Sequence, residues 1–249
     1  MGSEEILKKK TALVTGASRG IGNAIAAALA KAGYDLIITG YSHPDKLKAL
    51  ADELTEKHSC HITTHVGDIS DPAFVKDMFS SIDHLDLLVN NAGISYVGLL
   101  QDMSDEDWNR TMGVNLNSVF YTCREAIPVF LRNENDPAGR IINISSVWGV
   151  VGAATEAAYS ASKGAVNAFT KALAKELAPS HIPVNAIACG FVDTEMNGHL
   201  SAEEKQAVIA EIPADRIGLP SEIADAVVLA AGAPAYMTGQ IITVDGGWI

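Results

Sequence analysis

Seven short runs rich in aliphatic and β-branched residues recur along the chain, separated by longer segments with helical periodicity. They read T-A-L-V-T, L-I-I-T, H-I-T-T-H-V, L-D-L-L-V, R-I-I-N-I, I-P-V-N-A-I and I-I-T-V. Strands that alternate with helices imply a parallel sheet, because a parallel neighbour is reached only through a crossover, and crossovers place helices on both faces. The first, second, fourth and fifth runs lack polar alternation, as strands covered on both faces should. Helix starts are legible at Asp71 before Pro72, at Ser104 with Asp107, and at Ser201 with Glu204 as a capping box. No linker or repeat interrupts the pattern, so the expectation is one α/β domain over residues 1–249 with a doubly wound, seven-stranded parallel sheet. After the sixth run the text turns irregular, G-F-V-D-T-E-M-N-G-H-L-S, and residues 191–216 are expected to form a substrate lid at the carboxyl end of a strand.

Composition removes several classes. With 48% hydrophobic and 19% charged residues the chain reads as an ordinary globular core. A formal charge of -12 argues against nucleic acid, whose phosphates need clustered Lys and Arg. No apolar run reaches the roughly 18 residues that span a bilayer, and the start M-G-S-E-E is acidic where a signal peptide would be basic, so a cytoplasmic protein without a membrane partner is expected. Cys60, Cys123 and Cys189 lie far apart, which suggests neither disulfides nor a thiolate metal site. His58, Cys60, His61 and His65 fall close together, but a strand would turn Cys60 away from His61 and His65, and no metal is expected.

The octet T-G-A-S-R-G-I-G, Thr15 to Gly22, follows the first run and opens a helix. Free backbone N–H groups and the positive end of the helix dipole make such a junction an anion site suited to a pyrophosphate, although a plain strand-to-helix turn would also use glycines. Candidate contacts are Gly16, Ser18, Arg19, Gly20, Ile21 and Gly22. An acid about 20 residues further on would take a ribose 2′-hydroxyl, while arginine suits a 2′-phosphate. Here the second run ends in Gly40, Tyr41 and Ser42 without an acid, and Arg19 sits in the loop, so NADP(H) is expected over NAD(H), with Tyr41 and Ser42 beside it.

Further motifs follow in order: N-N-A-G from Asn90 to Gly93, V-N-L with Asn115, I-I-N-I-S-S ending at Ser146, Y-S-A-S-K from Tyr159 to Lys163, and V-D-G-G. With the glycine octet, this order resembles the short-chain dehydrogenase/reductase family over essentially the whole chain. The resemblance implies a Rossmann-like fold, a nicotinamide cofactor and a catalytic tetrad of Asn115, Ser146, Tyr159 and Lys163, the asparagine holding a relay water. It extends the cofactor contacts to Asp68 and Ile69 at the adenine, Asn91, Ala92 and Gly93 along the ribose, and Gly190, Val192 and Thr194 near the carboxamide. Tyr159 and Lys163 themselves also touch the cofactor. Cys189 stands where the family usually has proline, which frees one φ angle and adds a donor.

On a helix, Tyr159 and Lys163 share one face at i and i+4. A ketone reduced by hydride needs a proton at its oxygen, and a free tyrosine titrates near 10, so the nearby ammonium is expected to lower the phenol towards working pH. Ser146 is expected to hydrogen-bond the carbonyl oxygen.

The general resemblance points to 3-oxoacyl-acyl-carrier-protein reductases, which use NADPH. Those reductases present arginines near the ends of the fourth and fifth helices, whereas the matching segments here, N-E-N-D-P-A-G-R and E-L-A-P-S-H-I, are nearly bare of them. A narrower resemblance is to reductases of the 5-aminopentanone group on elongation factor P, carried by Trp148, Glu156 and the ending G-G-W with Trp248. Glu156 would then pair with a substrate ammonium, or it would merely occupy a helix's first turn behind Thr155 as cap. Trp148, Glu156 and Met196 are the substrate candidates, the substrate being a small or carrier-linked ketone. A non-catalytic dinucleotide sensor is the remaining alternative, although such proteins tend to lose the tyrosine or lysine. The family also implies a homotetramer or homodimer, with Trp248 and Ile249 as an apolar anchor between subunits.

Overall fold

A computed structural model describes residues 9–198 and 200–249; the acidic stretch Met1 to Glu5 and His199 of the expected lid lie outside the described residues. Seven strands, β1 (Thr11–Val14), β2 (Asp35–Gly40), β3 (Ile62–Val66), β4 (Leu87–Asn90), β5 (Arg140–Ser146), β6 (Val184–Cys189) and β7 (Ile241–Val244), form one sheet in the order β3-β2-β1-β4-β5-β6-β7. Every pairing is parallel. Each expected run is a strand, and the buried ones are the runs without polar alternation: β1, β2, β4 and β5 expose almost nothing, and β6 joins them. The polar run at β3 sits at the sheet edge, with its threonines exposed.

Helices α1 (Gly20–Lys31), α2 (Pro44–His58), α3 (Pro72–Ser80), α4 (Asp105–Met112), α5 (Ser118–Phe130), α6 (Trp148–Val151), α7 (Ala157–Leu177), α8 (Ala202–Glu211) and α9 (Pro220–Gly232) complete the fold. Alternate residues of β1 point to opposite faces, as the pleat requires. Ala12 and Val14 meet Ile25 and Leu29 of α1, Leu47 and Leu50 of α2, and Val227 of α9. Leu13 meets Met78 of α3, Phe130 of α5 and Val166 of α7. The two apolar layers so formed make this a doubly wound, Rossmann-like arrangement.

The helix starts are built as the local chemistry predicts. Asp71 accepts from the Ala73 N–H at 2.9 Å, Ser104 from Asp107 N–H at 3.1 Å, and Ser201 with Glu204 closes a reciprocal capping box. Residues 191–216 contain a short turn of 3₁₀ helix at Glu195–Asn197 and then α8, which buries none of its own residues. No helix among the described residues is long and apolar enough to cross a membrane.

The strand order reverses between β1 and β4, and α1 seats against that point. A Cβ on Gly22 would fall inside contact distance of the Gly16 carbonyl oxygen and the Asn91 amide. Gly22→Ala is therefore expected to lower folding stability by about 1–3 kcal/mol, the usual cost of overpacking. Urea unfolding measures it, and an unchanged midpoint would mean that the loop yields without strain.

Candidate active site

The cleft opens where the strand order reverses, outside the carboxyl ends of β1, β4, β5 and β6, the place where open α/β sheets bind ligands. Gly16 turns the chain at φ 67°, and Arg19 occupies the N-cap position of α1 without a capping side-chain bond. No acid lies in the first turn of α1, so its N–H groups and positive dipole end face the cleft uncompensated. The glycine cradle and this helix end fit the pyrophosphate of a dinucleotide.

β5 delivers Ser146 and α7 delivers Tyr159 and Lys163 to the same cleft. Lys163 is buried, and its ammonium donates to the Ile144 carbonyl at 2.8 Å while lying 5.7 Å from the centre of the Tyr159 ring. Burial pushes the Lys163 ammonium down to about 8. The Tyr159 phenol moves the other way from the sequence expectation: burial pushes it up, the Cys189 thiol adds to that, and only the Ser146 hydroxyl draws it down. Among the protein's own groups, desolvation at this site outweighs any help from the lysine one turn away.

Asn115 does not line the cleft. It is fully buried in a π-helical segment, Gly113–Asn117, between α4 and α5. Its Oδ1 accepts from the Ile94 N–H at 2.9 Å, and its Nδ2 donates to the Ile94 carbonyl at 2.9 Å and to Ser162 at 3.0 Å. Both amide hydrogens are thus engaged within the chain, which leaves one lone pair of Oδ1 for the expected relay water. Local widening of the helix at Asn115 is a common mark of functional sites.

At the adenosine end, several expected ligands have partners of their own. Asp68 accepts from the Ser70 hydroxyl and N–H and from Arg110 at 2.6 Å. Burial pushes its carboxyl up, but the Ser70 and Arg110 contacts outweigh that and hold it below the usual range. Arg110 also lies over Tyr41, 5.9 Å from the ring centre. Asn91 spends its amide hydrogens on the carbonyls of Thr15 and Gly16. Arg19 bonds Glu195 at 3.0 Å, and Lys46 bonds the other oxygen of the same carboxylate at 2.9 Å.

At the opposite end, Trp148 of α6 meets Trp248 edge-on, ring centres 4.7 Å apart, and both line the cleft. Trp248, expected to help anchor a neighbouring subunit, meets Trp148 of its own chain, and Ile249 beside it is exposed. The helix-cap reading of Glu156 is corrected. Glu156 is itself the N-cap residue of α7 but makes no capping bond; its carboxylate accepts from the Ser95 hydroxyl at 2.5 Å instead. Cys189 ends β6 as a full rung, with Ser146 and Val244 as its register partners, and burial pushes its thiol up to about 12.

Apart from Asn115, the cleft gathers the whole expected set, from Gly16, Ser18, Gly20 and Ile21 at the glycine loop, through Ser42, Ile69, Ala92 and Gly93, to Gly190, Val192, Thr194 and Met196. Sequence reading missed Arg110, Ser95, Lys46 and Glu195. None carries a local signal, because each partner lies on a different element.

A family model described as short chain dehydrogenase matches residues 10–205. The 3-oxoacyl-[acyl-carrier-protein] reductase FabG of Aquifex aeolicus (strain VF5) is 40% identical over 97% of this chain and 98% of its own length. The uncharacterized oxidoreductase YmfI of Bacillus subtilis (strain 168) is 39% identical over 96% of this chain and 98% of its own. Among solved structures, one from Beutenbergia cavernae put forward as an NAD(P)-dependent gluconate 5-dehydrogenase, with NADP bound at low occupancy, superposes with a TM-score of 0.89 at 35% identity over 97% of each chain. Motif order, sheet topology, the gathered cleft and these full-length likenesses agree: the chain belongs to the short-chain dehydrogenase/reductase family, and it is an oxidoreductase of that family.

Proposed function

We propose that this protein reduces a ketone to a secondary alcohol with NADPH, and that its leading substrate class is a 3-oxoacyl thioester on an acyl carrier protein. The observation that carries the reading is the meeting of Ser146, Tyr159 and Lys163 beside the glycine cradle in one cleft. The likeness to FabG supports the substrate class. Arg19 and the missing acid after β2 support the 2′-phosphate.

Gly16 to Gly22 and Lys163 would hold NADPH, which when bound would supply the hydride. Ser146 donates a hydrogen bond to the substrate carbonyl oxygen, and Tyr159 passes its proton to that oxygen as negative charge builds there. Burial pushes the phenol up, so the resting Tyr159 stands as a proton donor rather than as a tyrosinate. Lys163, rooted on the Ile144 carbonyl, keeps a positive charge beneath the phenol and lowers the cost of the tyrosinate left behind. Asn115 holds the Ile94 backbone and Ser162, and so positions the loop facing the tetrad. Residues 191–216 would close over the substrate as a lid.

A second reading is favoured by one specific observation. Glu156 is free of any capping duty and lines the same cleft as Trp148 and Trp248, and a carboxylate with aromatic rings suits a cationic group such as the amine of 5-aminopentanone on elongation factor P. Arg140, the arginine that ends the segment N-E-N-D-P-A-G-R and opens β5, turns inward to the Ala233 carbonyl at 2.6 Å and is not offered to an acidic carrier.

Three outcomes are expected. Tyr159→Phe should lower ketone reduction by at least about 100-fold while the NADPH dissociation constant stays within a few-fold, because only the proton donor is lost; retained turnover would remove the tetrad assignment and favour a sensor. Second, Lys163 falls from 10.5 to about 8 on folding, so between those values the unfolded chain binds more protons there and stability rises with pH. Urea unfolding at several pH values from 7.5 to 9.5 should show wild type gaining stability relative to Lys163→Met, and parallel curves would refute the buried charge. Third, kcat/KM for a 3-oxoacyl thioester and for aminopentanone-modified elongation factor P, compared with and without Glu156→Gln, decides the substrate. Thioester preference indifferent to Glu156 upholds the leading reading; amino ketone preference with a raised KM in the variant upholds the second.

A further inference from the structure

Three charged side chains from distant parts of the chain meet beside the glycine loop, and two of them, Arg19 and Glu195, line the cleft. Arg19 ends the glycine loop, Lys46 stands in the first turn of α2, and Glu195 opens the 3₁₀ turn of the lid segment. The carboxylate is gripped on both sides, Oε2 by Arg19 at 3.0 Å and Oε1 by Lys46 at 2.9 Å. Lys46 and Arg19 together therefore already hold an anion. In dinucleotide sites an acid reading the ribose 2′-hydroxyl belongs to the second strand's end. Here that end is Gly40, Tyr41 and Ser42, and the carboxylate comes instead from the lid, on a different element.

We propose that Lys46 is a second cation of the 2′-phosphate site and that Glu195 is its resident anion, which the 2′-phosphate displaces, releasing the lid turn from the glycine loop and α2. The inference rests on the NADPH reading above and adds to it a competitor and a consequence. A 2′-phosphate carries nearly two negative charges near neutral pH and cannot share two cations with a carboxylate at hydrogen-bonding distance, since like charges so close repel. About half of each of the three side chains is exposed, 49%, 49% and 53% for Arg19, Lys46 and Glu195, so the links are weak enough to yield to a doubly charged, charge-assisted acceptor. A cofactor bearing only a 2′-hydroxyl has no charge with which to evict Glu195, and the lid turn stays tied. Cofactor identity is in this way sensed by the segment that covers the substrate.

The test uses adenosine fragments, which bind without turnover. Calorimetric affinities for 2′,5′-ADP and 5′-ADP are measured on wild type, Arg19→Ala, Lys46→Gln and Glu195→Gln. Lys46→Gln should weaken 2′,5′-ADP about five- to twentyfold and leave 5′-ADP within twofold, the size of a charge-assisted contact in partly exposed surroundings. Glu195→Gln should instead tighten 2′,5′-ADP about three- to tenfold with no change for 5′-ADP. Amide exchange in the Glu195–Asn197 turn should quicken with 2′,5′-ADP and not with 5′-ADP. If Arg19→Ala abolishes a clear preference for 2′,5′-ADP while the Lys46 and Glu195 variants match wild type, the NADPH reading stands and the displacement is overturned. A wild type that binds both fragments equally overturns both.

Discussion

Everything in this cleft depends on how β1 and β4 are tied at the point where the strand order reverses. The Thr15 hydroxyl accepts the N–H groups of Asn91 and Ala92, both at 3.0 Å, and the Asn91 amide donates back to the carbonyls of Thr15 and Gly16. Four hydrogen bonds thus hold the two strand ends together just where their following loops must part. Gly22 then seats α1 against the Gly16 carbonyl, at a distance no side chain would allow. Glycine spacing in the loop is accordingly a packing requirement as much as a ligand requirement, and Asn91, which lines the cleft as expected of a ribose neighbour, also ties this knot.

The reacting groups are held by a buried polar scaffold behind the sheet. Asn90 donates to Asn143 at 2.9 Å, Asn143 donates to Thr170 at 2.9 Å, and Thr122 donates to Asn90 at 2.6 Å, joining β4 and β5 to α5 and α7. Such groups are costly to bury without partners, and satisfied they fix one relative placement of strands and helices. That placement sets Lys163 under the phenol and Ser146 beside it. The same burial explains why Tyr159 is pushed up, since a site dry enough to strengthen a hydrogen bond also penalises a lone tyrosinate.

The two ends of the cleft are built differently from this rigid centre. At the adenosine end the contacts are exposed ion pairs, Arg19 and Lys46 with Glu195 and Arg110 with Asp68, which yield readily to a charged ligand. At the substrate end the wall is aromatic, Trp148 against Trp248, with Glu156 held by Ser95. On the proposed function, the chemistry common to the family would sit in the centre, and selectivity would be left to residues at the rims.

Fold class, strand positions and helix starts were legible in the sequence, because each rests on a local pattern, whereas the tetrad was expected from the order of motifs shared with the family. Period-two and period-3.6 burial, a cap three residues before its partner, and a tyrosine one turn before a lysine need no knowledge of the rest of the chain. The direction of the Tyr159 shift was not legible, because burial is a sum over elements that meet only in the fold. Glu156 read equally well as a cap or as a cleft carboxylate until Ser95, on the loop after β4, was seen to claim it. The meeting of Trp248 with Trp148 of α6 was not legible either, because the two lie far apart in the chain. Local sequence determined which elements form and which groups can do chemistry, while the tertiary structure alone decided which charges pair across them, as Glu195 does with Arg19 and Lys46, because such pairings depend on the sheet order that brings distant loops to one edge.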